Sequence, residues 1–368
     1  MECVGFVTSN WGMQPDAGTS RTTMRQLASR LGLSTMTVSR ALRNAVGVSA
    51  DTRRRVHAAA ELQGYVPDPL LGVLNAYRHG RRQVAAREKI AFVTNFSTPD
   101  GWRRVLTFAR YFDGAQRRAR QLGYDLEPFW LGDPSLTERR ASQILRGRGI
   151  RGVVVGPLAD GRSELRLDWS HFSAVAVGRS LTAPQLTTVS INHTQAFELA
   201  WNEAWKRGYR RIGLVLTEGE DQRTTGSLRA SCVLQQLRVR TGLVPILFTP
   251  GFSGSAMLTW QHECAPDVIL SSEQSHYDAL RAARPRALLP PFVHLNVDPA
   301  APDAGVDQGH DLVGEQAAAL LHLKLIQQQT GVPHPRELLL IDGRWYEGRG
   351  RGRLPDCHAR GRLRSPAG

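Results

Sequence analysis

The 368 residues carry 47 Lys plus Arg against 33 Asp plus Glu, a formal charge of +14, with 41% hydrophobic and 22% charged residues. That apolar content excludes a disordered chain, and no apolar run reaches the ~18 residues of a membrane span. The four scattered cysteines (Cys3, Cys232, Cys264, Cys357) form neither a disulfide framework nor a CxxC metal site, and the amino terminus lacks the basic start and apolar core of a signal peptide. The expectation is a soluble, cytoplasmic protein with no membrane partner, no cofactor and no metal.

Taken in chain order, residues 1–20 show no periodicity and read as an unstructured leader or a start codon placed early. Thr23 followed by Gln26 is a capping box, with Leu27 and Leu31 on one helical face and Gly32 as the stop. Ser34 caps a second helix that turns Val38, Ala41 and Leu42 inward. Ser49 caps a third, with Asp51 in its first turn and Val56, Ala59, Ala60 and Leu62 predicted on an apolar face. Asp68-Pro69 reads as N-cap plus first residue of a short fourth helix over 70–78, followed by a basic linker. From residue 89 the texture changes. Strands are predicted over 89–96, 124–131, 149–158, 172–180, 187–192, 210–218, 245–250, 266–272, 292–297 and 337–343. Helices are predicted over 103–122, 138–146, 194–207, 225–240 and 311–329. Strands alternating with helices of this length imply parallel sheets with crossover helices. About 255 residues are too many for one such sheet, so two similar lobes are expected.

Charge is unevenly placed along these elements. Residues 21–87 carry +9 and residues 344–368 carry +5, while residues 88–343 carry only +2. A near-neutral body behind a strongly basic first domain points to a polyanion partner for that domain. Lysine occurs only three times (Lys89, Lys206, Lys324); a GC-rich genome explains the preference for Arg but not its clustering.

The first two helices have the spacing of a helix-turn-helix. A small residue stands where the helices cross (Ala28), a glycine where the turn takes a positive φ (Gly32), and apolar residues fill the wedge (Leu27, Leu31, Leu33, Val38). The second helix then presents Thr35, Met36, Thr37, Ser39 and Arg40. Short hydroxyls bond phosphates without blocking close approach, and Arg can grip a guanine edge with two hydrogen bonds. Ordinary helical hairpins share this spacing, so the motif alone does not decide the matter.

The segments RQLASRLGLSTMTVSRALRN and VSADTRRRVHAAAELQGYVPDP, however, resemble the headpiece of the lac repressor (LacI/GalR) family almost position by position over about 60 residues. Ala28, Gly32, Ser34, Thr37, Val38, Ser39 and Arg40 match its helix pair. Val48, Ser49, Thr52, Arg53 and Val56 match its third helix, and Gly64, Tyr65 and Pro67 its exit. The resemblance implies that Thr35, Met36 and Arg40 face base edges in the major groove. It implies that Ser34, Thr37, Ser39, Ser49, Thr52 and Tyr65 hold phosphates. Leu71 and Leu74 match the hinge helix, whose second leucine wedges into the minor groove at the operator centre; packing against the body is the alternative for both. Asp68 replaces the usual Asn and is followed by Pro69, which leaves open whether this hinge folds only on DNA.

A looser likeness continues through the body, which resembles the two-lobed, periplasmic-binding-protein-like core of the same family. Two lobes closing at the carboxyl ends of their strands would enclose a small molecule. Arg223 with Gly226 matches the family's R-x2-G, whose Arg reaches the ligand. Glu273-Gln274 stands where relatives show Asn-Asp, and Asp298 where they show a glycine-aspartate turn. Asp307 and Gln308 lie on a late segment crossing back between lobes, and Asn95 to Trp102 follow the first strand; Trp102 reads equally as a packed loop residue. The expected effector residues are therefore Asn95, Trp102, Arg223, Glu273, Asp298 and Gln308. The departures weaken the usual sugar or nucleobase effectors, leaving a carbohydrate or related metabolite.

No catalytic reading survives. Gly147 to Gly152 satisfies GxGxxG but precedes a strand instead of following one, His262-Glu263 lacks a second histidine, and no GxSxG or P-loop occurs. The expected protein is not an enzyme. It is a multidomain chain: an all-α helix-turn-helix headpiece followed by a two-lobed α/β domain. The expected boundaries are leader 1–20, headpiece 21–68, hinge helix and linker 69–87, effector-binding and dimerisation domain 88–345, and a basic tail 346–368 without leucine heptads, expected to be disordered. The reading is a homodimeric, sequence-specific DNA-binding transcriptional regulator that takes a palindromic double-stranded operator and a small-molecule effector. A repressor is preferred; an activator, a co-repressed regulator and, in another class, an exported solute-binding protein are the alternatives.

Overall fold

The structure, a computed structural model, describes residues 22–42, 48–63, 65, 87–159, 163–283 and 289–357. The expected leader, the hinge helix with Leu71 and Leu74, and the end of the tail lie outside these residues. The chain divides into two compact units, residues 1–82 and 83–368.

The first unit is three helices, α1 (Met24–Leu31), α2 (Thr35–Leu42) and α3 (Ala50–Leu62). The predicted capping box is present: Gln26 N–H donates to Thr23 Oγ1 and Thr23 N–H to Gln26 Oε1. Gly32 ends α1 in the left-handed region at φ 63°. Leu27, Val38, Ala41 and Val56 have no exposed surface, and Ala28 and Ala60 are also buried, so one small core joins all three helices. Leu62 departs from expectation: it is 88% exposed. The apolar stripe of α3 ends at Ala60, where Tyr65 N–H donates to the Ala60 carbonyl and covers that end.

The second unit is built on two six-stranded sheets. The N-lobe sheet contains β1 (Glu88–Thr94), β2 (Tyr124–Trp130), β3 (Gly152–Val155), β5 (Ser173–Val177), β7 (Thr188–Ile191) and β13 (Leu338–Ile341) in the order β13-β7-β5-β3-β1-β2, all parallel. Alternate residues of each strand serve opposite faces. Phe92, Val154 and Val175 pack with Phe112 and Leu321 of the helices α4 (Leu106–Gln121) and α11 (His310–Gln327). Val93, Val153 and Ala176 pack on the other face with Leu145 of α5 (Glu138–Gly147). Burial on both faces explains why these strands read as continuous apolar runs. A minor pair, β4 (Ser163–Glu164) and β6 (Leu181–Ala183), lies outside the sheet.

The C-lobe sheet contains β8 (Ile212–Thr217), β9 (Leu247–Thr249), β10 (Val268–Ser271), β11 (Phe292–His294), β12 (Gly305–Asp307) and β14 (Arg344–Tyr346). Their order is β14-β12-β11-β10-β8-β9, with β14 antiparallel to β12. Its helices are α6 (His193–Lys206), α7 (Glu218–Arg223), α8 (Ser227–Val239), α9 (Gly254–Cys264) and α10 (Gln274–Ala283).

The backbone passes between lobes three times, after β7, after β12 and after β13. The passages are tied together: Asn192 Nδ2 donates to Asp342 Oδ1 at 2.8 Å, and Gly343 N–H to Gln195 Oε1 at 2.8 Å. Gly309 turns the middle passage at φ 63° and donates to Asp307 Oδ1. The first part of the expected disordered tail is docked instead. Leu354 is buried in the C-lobe core, Tyr209 OH donates to the Pro355 carbonyl at 2.7 Å, and Cys357 N–H to the Arg207 carbonyl at 2.8 Å. Arg207 also pairs with Glu347 at 2.8 Å. Backbone pairing and one leucine suffice to hold a segment whose composition showed only basic charge and glycine.

Candidate DNA-reading surface and interlobe cleft

The buried positions of α2, Val38 and Ala41, fix which side of that helix faces solvent. Ser34, Thr35, Met36 and Arg40 are exposed, Met36 by 66%, and Thr37 and Ser39 are half-buried at the margins. A protruding short helix with polar and flexible side chains is the shape that enters a major groove. Its N-terminus is set by Ser34, whose Oγ accepts from Thr37 N–H at 3.0 Å and lies 2.8 Å from Thr37 Oγ1. The start of α3 repeats the device. Ser49 Oγ accepts from Thr52 N–H and donates to Thr52 Oγ1 at 2.8 Å. The Thr52 proton is then left to donate outward. Both starts thus combine hydroxyls with exposed amides, a setting that favours phosphate. Tyr65 is half-buried, and burial raises its phenol pKa, keeping it a neutral hydrogen-bond donor.

A second site lies between the lobes of the larger unit, a cavity of about 770 Å³ at the carboxyl ends of strands. Four of the six expected effector residues line it: Arg223, Glu273, Asp298 and Gln308. Arg223 Nη2 pairs with Glu273 Oε1 at 3.3 Å, so the arginine at the end of α7 and the acid replacing the family's Asn-Asp meet each other. Asp298 Oδ1 accepts from Ala300 N–H at 3.0 Å, and the buried Gln308 donates to the Leu295 carbonyl at 2.6 Å.

The other two do not line the cavity. Trp102 has no exposed surface; it packs within 4.9 Å of the Phe112 ring and donates its indole N–H to the Pro99 carbonyl. Asn95 accepts from Ala159 N–H at 2.8 Å and so holds the loop after β3. Its role is one step removed, since Pro157, Leu158 and Ala159 of that loop do line the cavity.

The cavity also contains groups the sequence reading missed: Arg179, His193, Glu220, His294, Asn296 and His310. Each stands at the end of a strand or within a few residues after it, which is the signal that could have found them. Burial pushes the His193 imidazole down to about 4, with Arg179 adding, and the His310 imidazole down to about 3. Burial likewise lowers His294, and it raises the Glu220 carboxyl to about 7, with Glu273 adding to the rise against hydrogen bonds from Thr217. The three rings are therefore neutral at pH 7. His193 Nδ1, His294 Nε2, His310 Nδ1 and Glu220 Oε1 are buried without a hydrogen-bond partner among the described residues. Such atoms cost free energy unless a polar ligand or water meets them.

His310 also joins the lobes. Its Nε2 lies 2.7 Å from Asn296 Oδ1, and Asn296 Nδ2 donates to Thr107 Oγ1 of α4 at 3.2 Å. Arg110 of α4 reaches Asp311 at 3.2 Å and Asp307 at 3.7 Å. The contacts of Asn296 with His310 and Thr107, and of Arg110 with Asp307, cross between the N-lobe and the C-lobe beside the middle passage, whereas Arg110–Asp311 joins two N-lobe helices.

Residues 23–68 match the profile described as "Bacterial regulatory proteins, lacI family". The chain is 25% identical over 341 residues to the HTH-type transcriptional regulator TreR of Escherichia coli (strain K12), covering 87% of this chain and 98% of that protein. It is 25% identical over 225 residues to the HTH-type transcriptional regulator PtxS of Pseudomonas plecoglossicida, covering 61% of this chain and 62% of that one. Among solved structures, the lac repressor bound to ONPG in the repressed state aligns with TM-score 0.53 at 16% identity, over 89% of this chain and 99% of that chain. The lac repressor dimer bound to operator and the anti-inducer ONPF aligns with TM-score 0.51 at 16% identity. These two likenesses concern the fold.

Proposed function

We propose that the chain is a member of the lacI family of bacterial regulatory proteins and acts as a cytoplasmic, homodimeric repressor. Its α2 reads a palindromic operator, and its interlobe cleft takes a small-molecule effector that changes operator affinity. The observation that carries the reading is the exposed row Thr35, Met36 and Arg40 on a helix locked by Val38 and Ala41.

In this reading Ser34, Thr37, Ser39, Ser49, Thr52 and Tyr65 bond phosphates and set the register, while Thr35, Met36 and Arg40 contact bases. Leu71 and Leu74 wedge into the minor groove at the operator centre. Two headpieces in a dimer call for two half-sites related by a two-fold axis. Arg223, Glu273, Asp298 and Gln308 contact the effector; ligand-driven closure of the lobes moves the hinges. Support for a cleft ligand comes from the unpartnered buried atoms of His193, His294, His310 and Glu220. Nothing in this account requires chemistry on the ligand, and the protein is read as a regulator without enzymatic activity.

Sequencing genomic fragments retained by the purified protein tests the proposal. It expects an inverted repeat, and a reporter placed behind that repeat should rise when the gene is deleted. Retained fragments with no common sequence would defeat the operator reading; a reporter that falls would make the protein an activator.

A further inference from the structure

Four arginines line the interlobe cavity, and they divide by partner. Arg110 is held by Asp311 and Asp307, and Arg223 by Glu273. Arg104 and Arg179 have no carboxylate within ion-pair distance among the described residues. Arg104 is exposed and keeps its water, whereas Arg179 is half-buried. Burial, and then the like charge of Arg336, depress the Arg179 pKa below the ordinary arginine value. A guanidinium without counter-charge in such a place is destabilising until an anion arrives.

Its neighbours are suited to one. Ser180 and His193 line the same wall. Ser180 Oγ accepts from Leu158 N–H at 2.9 Å, which leaves its own proton to donate. The acids of the cavity, Glu220, Glu273, Asp298 and Asp303, all belong to the C-lobe. There Glu220 Oε1 and His294 Nε2 are without partners. The cavity thus has a donor wall centred on Arg179 and a facing wall rich in acceptors.

Resting on the reading of this cleft as the effector site, we propose that the effector is a small polyhydroxylated metabolite bearing one oxyanion. Its carboxylate or phosphate is bound by Arg179, Ser180 and His193, and its hydroxyls donate to Glu220 and His294. Charge-assisted bonds to a guanidinium are strong enough to set specificity between a charged compound and its neutral congener.

Calorimetric titration of the full chain with matched sets distinguishes the possibilities: neutral pentoses, hexoses and disaccharides, the corresponding sugar acids, the corresponding sugar phosphates, and inorganic phosphate. At least one acidic compound should bind about tenfold or more tightly than its neutral congener. Preference for the acid or for the phosphate tells carboxylate from phosphoryl. Arg179→Gln should erase that preference and leave the neutral congener's affinity as it was, and Arg179→Lys should restore part of it. Melting of the ligand-free Arg179→Gln protein at or above the parent's temperature, as loss of an uncompensated charge requires, excludes misfolding as the cause. Neutral compounds binding as tightly as acids, no acidic compound binding, or Arg179→Gln without effect would each overturn the anion assignment. In those cases, affinity lost in Glu220→Gln keeps the cleft as the ligand site; affinity untouched by both variants removes the cleft reading too.

Discussion

A Cβ built on Gly32 meets no atom within 4 Å, so space is not what demands glycine there; φ of 63° is. Gly32→Ala should cost the headpiece about 1–2 kcal/mol, because an L side chain clashes with its own backbone in that region. Unfolding followed by helical circular dichroism on the full chain would register the loss, and an unchanged first transition would contradict it. Arg40 stands on the exposed side of α2. Arg40→Ala should cost about 1–3 kcal/mol at one base position and relax preference there, whereas loss of a phosphate contact would weaken all sequences alike. Glu220 titrates in a usable range. Its carboxyl is pushed up to about 7 from 4.5, burial being the first cause. Between those values the folded state holds a proton that the unfolded state has lost, so its stabilising contribution is complete below about 4.5 and is lost as pH rises through 7. Glu220→Gln should flatten the fall in urea midpoint between pH 5 and pH 8; an unaltered slope would mean the carboxylate is ionised throughout. At this scale the sequence was read well where one residue does one local job, as with the caps at Thr23, Ser34 and Ser49. It misled at Leu62, and at Trp102 it left two readings open of which the packed one holds; burial at both depends on neighbours distant in the chain.

At the scale of elements, the alternation of strands and helices was legible because burial on both faces leaves unbroken apolar runs between amphipathic helices. Three C-lobe helices were not, the six-residue α7 and the longer α9 and α10. Helix α9 buries only Met257 and Trp260, and α10 buries His276 beside Tyr277 and Leu280, so neither shows a plain apolar stripe. The short antiparallel β14 was hidden in a basic, glycine-rich stretch for the same reason. Contact between elements was invisible too. Helices α4 and α11 meet at mutual glycines: a Cβ on Gly114 would stand 2.0 Å from the Asp311 carbonyl oxygen, and one on Gly314 2.0 Å from that of Tyr111. Both obstacles are backbone, which cannot rotate aside. Gly314→Ala should push the helices apart and cost about 1–3 kcal/mol or more. Because the same two helices carry Thr107, Arg110 and His310 into the interlobe contacts, this variant should also shift effector response. A melting temperature equal to that of the parent would show that the crossing tolerates a methyl group.

For the whole molecule, the net charge resolves into functionally different parts. The +9 of residues 21–87 falls, all but Arg87, on the unit that carries the helix-turn-helix, and the +2 of residues 88–343 on the unit that holds the cleft. Part of the basic tail is structural, docked through Leu354, Pro355 and Cys357. The candidate cleft was half legible: Arg223 and Glu273 were found from motif, while Arg179, Glu220 and His310 emerge only when the strand ends are brought together. The central claim, that α2 reads sequence and does not merely hold polyanion, is tested most directly by competitive anisotropy titration at fixed salt. The labelled duplex carries the selected inverted repeat, and the competitor has the same composition in scrambled order. The account predicts a preference on the order of a thousandfold or more for the repeat. Equal affinities for the two duplexes would contradict it.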